Sequence, residues 1–146
     1  MARQQFRVSY FSLNQPISDA DVASLTGLKD DVIACDIDAA YSEFHIRAAL
    51  KEALATRRRS RRYQNLSALF MMYLTGKKQI TDAIKLAGIR SGTVNFFALS
   101  LKRDGNLPLD LGIFLKSTEI ASPIPINDEK RDEDACWRMT RLSLSL

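Results

Sequence analysis

The residues of this chain best suited to chemistry sit in one tight corner, Thr75-Gly76-Lys77-Lys78-Gln79-Ile80. Gly76 admits the positive φ that closes one helix, and Ile80, Ala83, Ile84 and Ala87 open an amphipathic second helix directly after it. The first N–H groups of a helix have no intrahelical acceptor, and the macrodipole places partial positive charge at the same end. Lys77 and Lys78 add two full charges, so the corner is suited to an anion. The plainer reading of the same residues is a joint between two helices whose lysines are merely solvated.

Other chemistry is thinly represented. His45 is the single imidazole, no GxSxG elbow surrounds any serine, and near the start of its helix this residue reads as a structural or contact group rather than a base. Cys35 and Cys136 are too few for a disulfide framework and, with one histidine, too few for a zinc set; both read as small buried hydrophobes. The pairs Asp19/Asp21, Asp30/Asp31 and Asp36/Asp38, and the cluster from Asp128 to Asp134, have helix-start or turn explanations. The six glycines fit neither GxGxxG nor GxxxxGK[ST]. No metal, cofactor or catalytic activity is therefore expected.

The elements that must position the corner follow from periodicity. Gln5 to Leu13 alternates as a half-buried strand, and Val32 to Cys35 is a short apolar run of strand length. Between them, Ser18-Asp19-Ala20-Asp21 starts a short helix using Val22, Leu25 and Leu28. Ser42 precedes a longer amphipathic helix with Ile46, Ala49, Leu50, Ala53 and Leu54 on one face. It runs into Arg57-Arg58-Arg59-Ser60-Arg61-Arg62, where repulsion among five arginines favours an exposed loop. From Asn65, Leu66, Leu69, Phe70 and Tyr73 define a helix apolar nearly all round and hence buried.

After the corner, Thr93 to Leu101 is apolar on both faces and rich in β-branched and aromatic residues, which predicts an inner strand. Pro108 fits the first turn of a helix using Leu111, Phe114 and Leu115, although Leu107, Leu109, Leu111 and Ile113 also alternate as a strand would. Ser122 to Ile126 is extended by its prolines, and Asn127 or Asp128 opens a last helix with an acidic first turn. Met139 and Leu142, with Trp137 beside them, are expected to leave an apolar patch that a protein partner covers. Together these elements predict an α/β chain forming one domain over residues 1–146, a small mixed sheet packed by several helices.

Charge is segregated along the chain. Between Arg47 and Arg103 thirteen basic residues face only Glu52 and Asp82, whereas both flanks are acidic, and the whole chain sums to +4. A field of this kind suits a polyanion such as nucleic acid, with the acidic ends left for a different partner. Residues 1–5 lack the apolar segment of a secretory signal, and no apolar run approaches the length of a membrane span. A cytoplasmic protein with no membrane partner is expected.

These residues suggest a family. Leu74-Thr75-Gly76-Lys77-Lys78-Gln79-Ile80, then Ala83-Ile84-Lys85 and Gly88-Ile89, resembles the small-Gly-x-x-Gln-Ile-x-x-Ala-x-x-x-x-Gly segment of the kinase-binding accessory subunits of the KEOPS (EKC) complex, the TPRKB-like family in its archaeal type. A helix begun by a histidine, here His45, and an arginine-containing loop ahead of the central helix agree with it. The resemblance spans about residues 5 to 140, and its specific part is residues 65 to 89.

The likeness implies a compact α/β fold and a non-catalytic subunit of the machinery that makes threonylcarbamoyl-adenosine in tRNA. It also implies two partners, the small atypical kinase of that complex and the single-stranded CCA end of tRNA. Carried over by position, Thr75, Gly76, Lys77, Lys78, Gln79 and Ile80 are the tRNA-end site, with His45 and Asn65 as neighbouring polar residues. The chain departs from the pattern in its arginine run and in lacking a glutamate between Leu66 and Tyr73.

The residues themselves converge on that corner. Backbone donors and lysines hold phosphates, Gln79 can bond a base edge, and Ile80 or His45 can pack against an unstacked base. Arg61 and Arg62, with the rest of the run, would engage an acceptor-stem backbone without reading sequence. For Ile80 a core role in its own helix competes with this. The alternative function is a regulator using residues 66–88 as a helix-turn-helix on duplex DNA, although beyond the first turn its second helix offers only Asp82 and Lys85 as clearly polar contacts. A third reading, an unrecognised enzyme, would require His45 to be essential for turnover.

Overall fold

The computed structural model describes residues 7–15, 18, 32–62, 65–90, 92–101, 117–120 and 129–146. The helices expected from Asp19 to Leu28 and around residues 107–115, the extended stretch Ser122 to Ile126, and the helix start at Asn127 or Asp128 lie outside these residues. The class is mixed α/β, as the alternation of elements predicts. Contacts divide the chain into two compact units, residues 1–36 with 89–123, and residues 37–88 with 124–146.

The first unit is a four-stranded sheet of β1 (Arg7–Leu13), β2 (Val32–Asp36), β3 (Asn95–Ser100) and β4 (Ser117–Ile120) in the order β2-β3-β1-β4. All three pairings are antiparallel, so the sheet expected to be mixed is antiparallel instead. Strand β3 lies between β2 and β1 because it is apolar on both faces: Phe96, Phe97, Ala98 and Leu99 are all fully buried. Opposite it, Phe11 pairs with Phe96, and their rings stack with centroids 5.2 Å apart. Ile33 and Cys35 complete this core, and burial pushes the Cys35 thiol far up, so it packs as a neutral apolar group. Strand β4, four residues long, gives no periodic signal that the sequence reading could use.

The second unit is helical. A 3-10 turn over Ile37–Ala39 leads to α1 (Glu43–Arg59), whose N-cap Ser42 accepts the His45 N–H. Helix α2 (Leu66–Thr75) follows, capped by the Asn65 side chain, then α3 (Ile80–Ala87) and α4 (Glu129–Ser145). Helix α2 packs against α1, α3 and α4, which explains its apolar circumference: Leu66, Leu69, Phe70, Met72, Tyr73 and Leu74 are all buried. The one phenolic oxygen on this helix, that of Tyr73, is satisfied by the Thr56 hydroxyl of α1.

Two glycines shape the joints. Gly76 sits at φ 73° and donates its N–H to the Met72 carbonyl at 2.8 Å, ending α2 in the left-handed conformation. A Cβ there would also lie 3.2 Å from the Arg138 side chain. Gly76→Ala is therefore expected to lower stability by about 1–2 kcal/mol, the cost of a left-handed residue bearing a side chain, as a shift in the denaturant midpoint will show. Gly88 ends α3 for a different reason, since its φ is an ordinary −68° but an added Cβ would meet the Ile84 carbonyl oxygen at 2.6 Å.

Candidate functional site

The corner forms as its residues predict and is open on one side. The Thr75 hydroxyl, buried, donates to the Met71 carbonyl at 2.8 Å and accepts the Lys77 N–H at 3.4 Å, which fixes the turn out of α2. Beyond it Lys77, Lys78, Gln79 and Ile80 are exposed. Gln79 is the N-cap of α3, and its side chain makes no capping hydrogen bond, so the donors of the first turn carry no side-chain cap. Asp82 in that turn offsets part of the positive end. On its other side the corner is closed by Arg138 of α4, which packs on Gly76 and donates from Nη1 to the Thr75 carbonyl at 3.4 Å.

Arg62, Lys78, Gln79, Ile80 and Thr81 line one groove of about 410 Å³ with Met72, Ser145 and Leu146. Two cations, an amide and an apolar side chain thus share a concavity, the combination that phosphate, base edge and base face require. Ile80 is 43% exposed, so the core role weighed for it does not hold. Helix α3 is seated through Ala83 and Ala87, fully buried, and their small side chains bring the backbone close enough that Ile80, Ile84 and Leu86 stay outside.

The arginine run differs from the exposed loop expected of it. Helix α1 continues through Arg59, and Arg57, Arg58 and Arg59 occupy its last turn, where the dipole favours cations. Arg59 is tied to Thr56 at 3.2 Å and to Ser143 of α4 at 2.9 Å. Arg61 and Arg62 alone follow the helix, both exposed, and of the two Arg62 lines the groove.

His45 cannot contact a ligand. It is 1% exposed, its Nδ1 accepts the Tyr41 N–H at 3.0 Å, and its Nε2 lies 2.9 Å from the Leu74 carbonyl. That pair of partners selects the neutral tautomer with the proton on Nε2. Burial lowers its pKa to about 4, with Arg138 adding to the effect and the Leu74 hydrogen bond and Asp132 opposing it. His45 is thus a strut joining α1 to the last carbonyls of α2. Asn65 remains exposed, but its Oδ1 caps α2 by accepting the Ala68 N–H at 3.1 Å.

The apolar patch expected on α4 is absent in that form. Met139 and Leu142 are 4% and 2% exposed because their face packs inward on the helical unit, and Trp137, 62% exposed, points the other way. Cys136, expected in the core, is only partly buried and lines a separate groove with Phe44, Met139 and Leu144. Helix α4 carries a further set of cations, Arg131, Arg138 and Arg141 at i, i+7 and i+10, whose spacing in the sequence is masked by the acidic residues Asp132, Glu133 and Asp134.

No protein-family model matches the chain, and no curated protein matches it.

Proposed function

We propose that this chain is a non-catalytic accessory subunit of the KEOPS type, cytoplasmic, which binds the small atypical kinase of that complex and holds the 3' CCA end of tRNA. The observation that carries the RNA part is the groove in which Arg62, Lys78, Gln79 and Ile80 converge beside the uncapped start of α3. The resemblance over residues 65 to 89 supports the assignment to that complex. Relative to that likeness, the site consists of Gly76 to Ile80 with Arg62, while Thr75 fixes the turn, His45 is buried against the Leu74 carbonyl and Asn65 caps the far end of α2. The helix-turn-helix alternative fits less well, since α3 turns Ile80, Ile84 and Leu86 outward where a major-groove helix needs hydrogen-bonding side chains.

Titration of tRNA against salt tests this reading. Wild-type affinity is expected to fall when the terminal CCA is removed, and Lys78→Glu is expected to flatten the salt dependence by about 0.7 in log–log slope, the share of one phosphate on a single strand. Equal binding with and without CCA overturns the site. Capture of the kinase by the tagged chain, with the Lys78→Glu variant still competent, tests the protein partner separately.

A further inference from the structure

We propose that the outer face of α4 carries a second nucleotide subsite, which stacks a base of single-stranded RNA on Trp137 and holds the adjoining phosphates with Arg131, Arg138 and Arg141. The inference rests on the reading of the corner as an RNA site and extends it along the strand. Tyr41, Arg131, Asp134, Trp137, Arg138 and Arg141 line a cleft of about 680 Å³. Three guanidinium groups and a single carboxylate give it a surplus of positive charge, so its field selects an anion.

Two of the three cations, Arg131 and Arg138, pack against one aromatic ring. The guanidinium carbons of Arg138 and Arg131 lie 5.2 and 5.5 Å from the centroid of the Tyr41 ring. That ring is itself stacked on His45 at 4.7 Å, which anchors it to the buried strut of α1. A guanidinium is a planar fork of N–H donors, the geometry that phosphate oxygens accept. Trp137 supplies what an inorganic anion would not need, a large indole face left 62% exposed beside those cations. Exposed aromatic faces interleaved with arginines are the stacking platform of single-strand recognition.

Arg138 joins this cleft to the corner. Its stem covers Gly76, its Nη1 meets the Thr75 carbonyl, and its guanidinium also forms part of the cleft wall. Arg138 thus borders both the Thr75-Gly76 turn and the cleft. An acidic peptide would satisfy the arginines but would leave the indole without a partner.

Trp137 is the one tryptophan of the chain, so its emission reports this subsite alone. A short single-stranded RNA ending in CCA is expected to quench it, and a glutamate-rich peptide of the same length is not. With fluorescently labelled RNA followed by anisotropy, Arg141→Glu and Trp137→Ala are each expected to weaken binding by about tenfold to a hundredfold, with unchanged far-ultraviolet circular dichroism because both side chains are exposed. RNA that binds, is lost with Lys78→Glu, leaves Trp137 emission unchanged and is indifferent to Arg141→Glu overturns the subsite and spares the corner. Quenching abolished by Arg141→Glu but not by Lys78→Glu supports the subsite and overturns the corner. Quenching by the peptide with no response to RNA, or no response to either, overturns the subsite.

Discussion

Acidification is expected to destabilise the helical unit through His45 by about 3 kcal/mol at pH 4 relative to pH 7. The folded pKa is lowered to about 4, chiefly by burial, whereas an unfolded chain titrates near 6.5. Between those values the unfolded state binds more protons than the folded one, so stability rises with pH across the window and is fully present above 6.5. The gap of about 2.5 units at 1.36 kcal/mol each sets the magnitude. The structural cause is specific. A second proton must go to Nδ1, which already accepts the Tyr41 N–H at 3.0 Å, so protonation sets two donors against each other inside the fold. Denaturant midpoints measured from pH 7 down to pH 4 check this. In His45→Gln, which keeps a donor and an acceptor but does not titrate, the slope contributed by this residue should vanish even if the variant is less stable at pH 7. A wild-type profile flat across that window would exclude a buried neutral imidazole.

Phe70→Ala is expected to cost about 3–5 kcal/mol, the range for removing a fully buried aromatic ring. Phe70 has no exposed surface and lies midway along α2, the helix against which α1, α3 and α4 all pack. Because close-packed neighbours on three sides relax little, the lost ring leaves a cavity rather than a collapse. By contrast Ile80→Ser, on the same joint but exposed, is expected to change stability by less than about 0.5 kcal/mol, the ordinary limit for a surface position. Urea titration of both variants gives the comparison. If Ile80→Ser proved as costly as Phe70→Ala, Ile80 would belong to the core and the groove at the corner would lose its apolar wall.

Which features could be read directly from the chain depends on whether the deciding interaction is local. The N-caps Ser42 and Asn65, the left-handed Gly76 and the inner position of β3 all follow from residues within a few positions of one another. The sheet's antiparallel pairing was not accessible in that way, because pairing direction depends on where connections leave each strand. For Ile80 the sequence offers two readings, a base contact and a core role, and only the 43% exposure in the folded chain removes the second. The periodicity marks an apolar stripe on α3, but the alanines alone are small enough to seat the helix, and nothing in the spacing says which part of the stripe is covered.

The residues of the candidate site divide along the same line. Composition and order alone determined that a lysine-flanked helix start follows a glycine break, and that basic charge concentrates between Arg47 and Arg103. Tertiary structure decided which side chains meet there: it drew His45 inward onto Leu74, turned Met139 and Leu142 into the core, and set Arg62 beside Lys78 and Arg138 over Gly76. The physical reason is that backbone conformation responds to neighbours in sequence, whereas burial and proximity between residues such as Gly76 and Arg138, far apart along the chain, exist only once helices have packed.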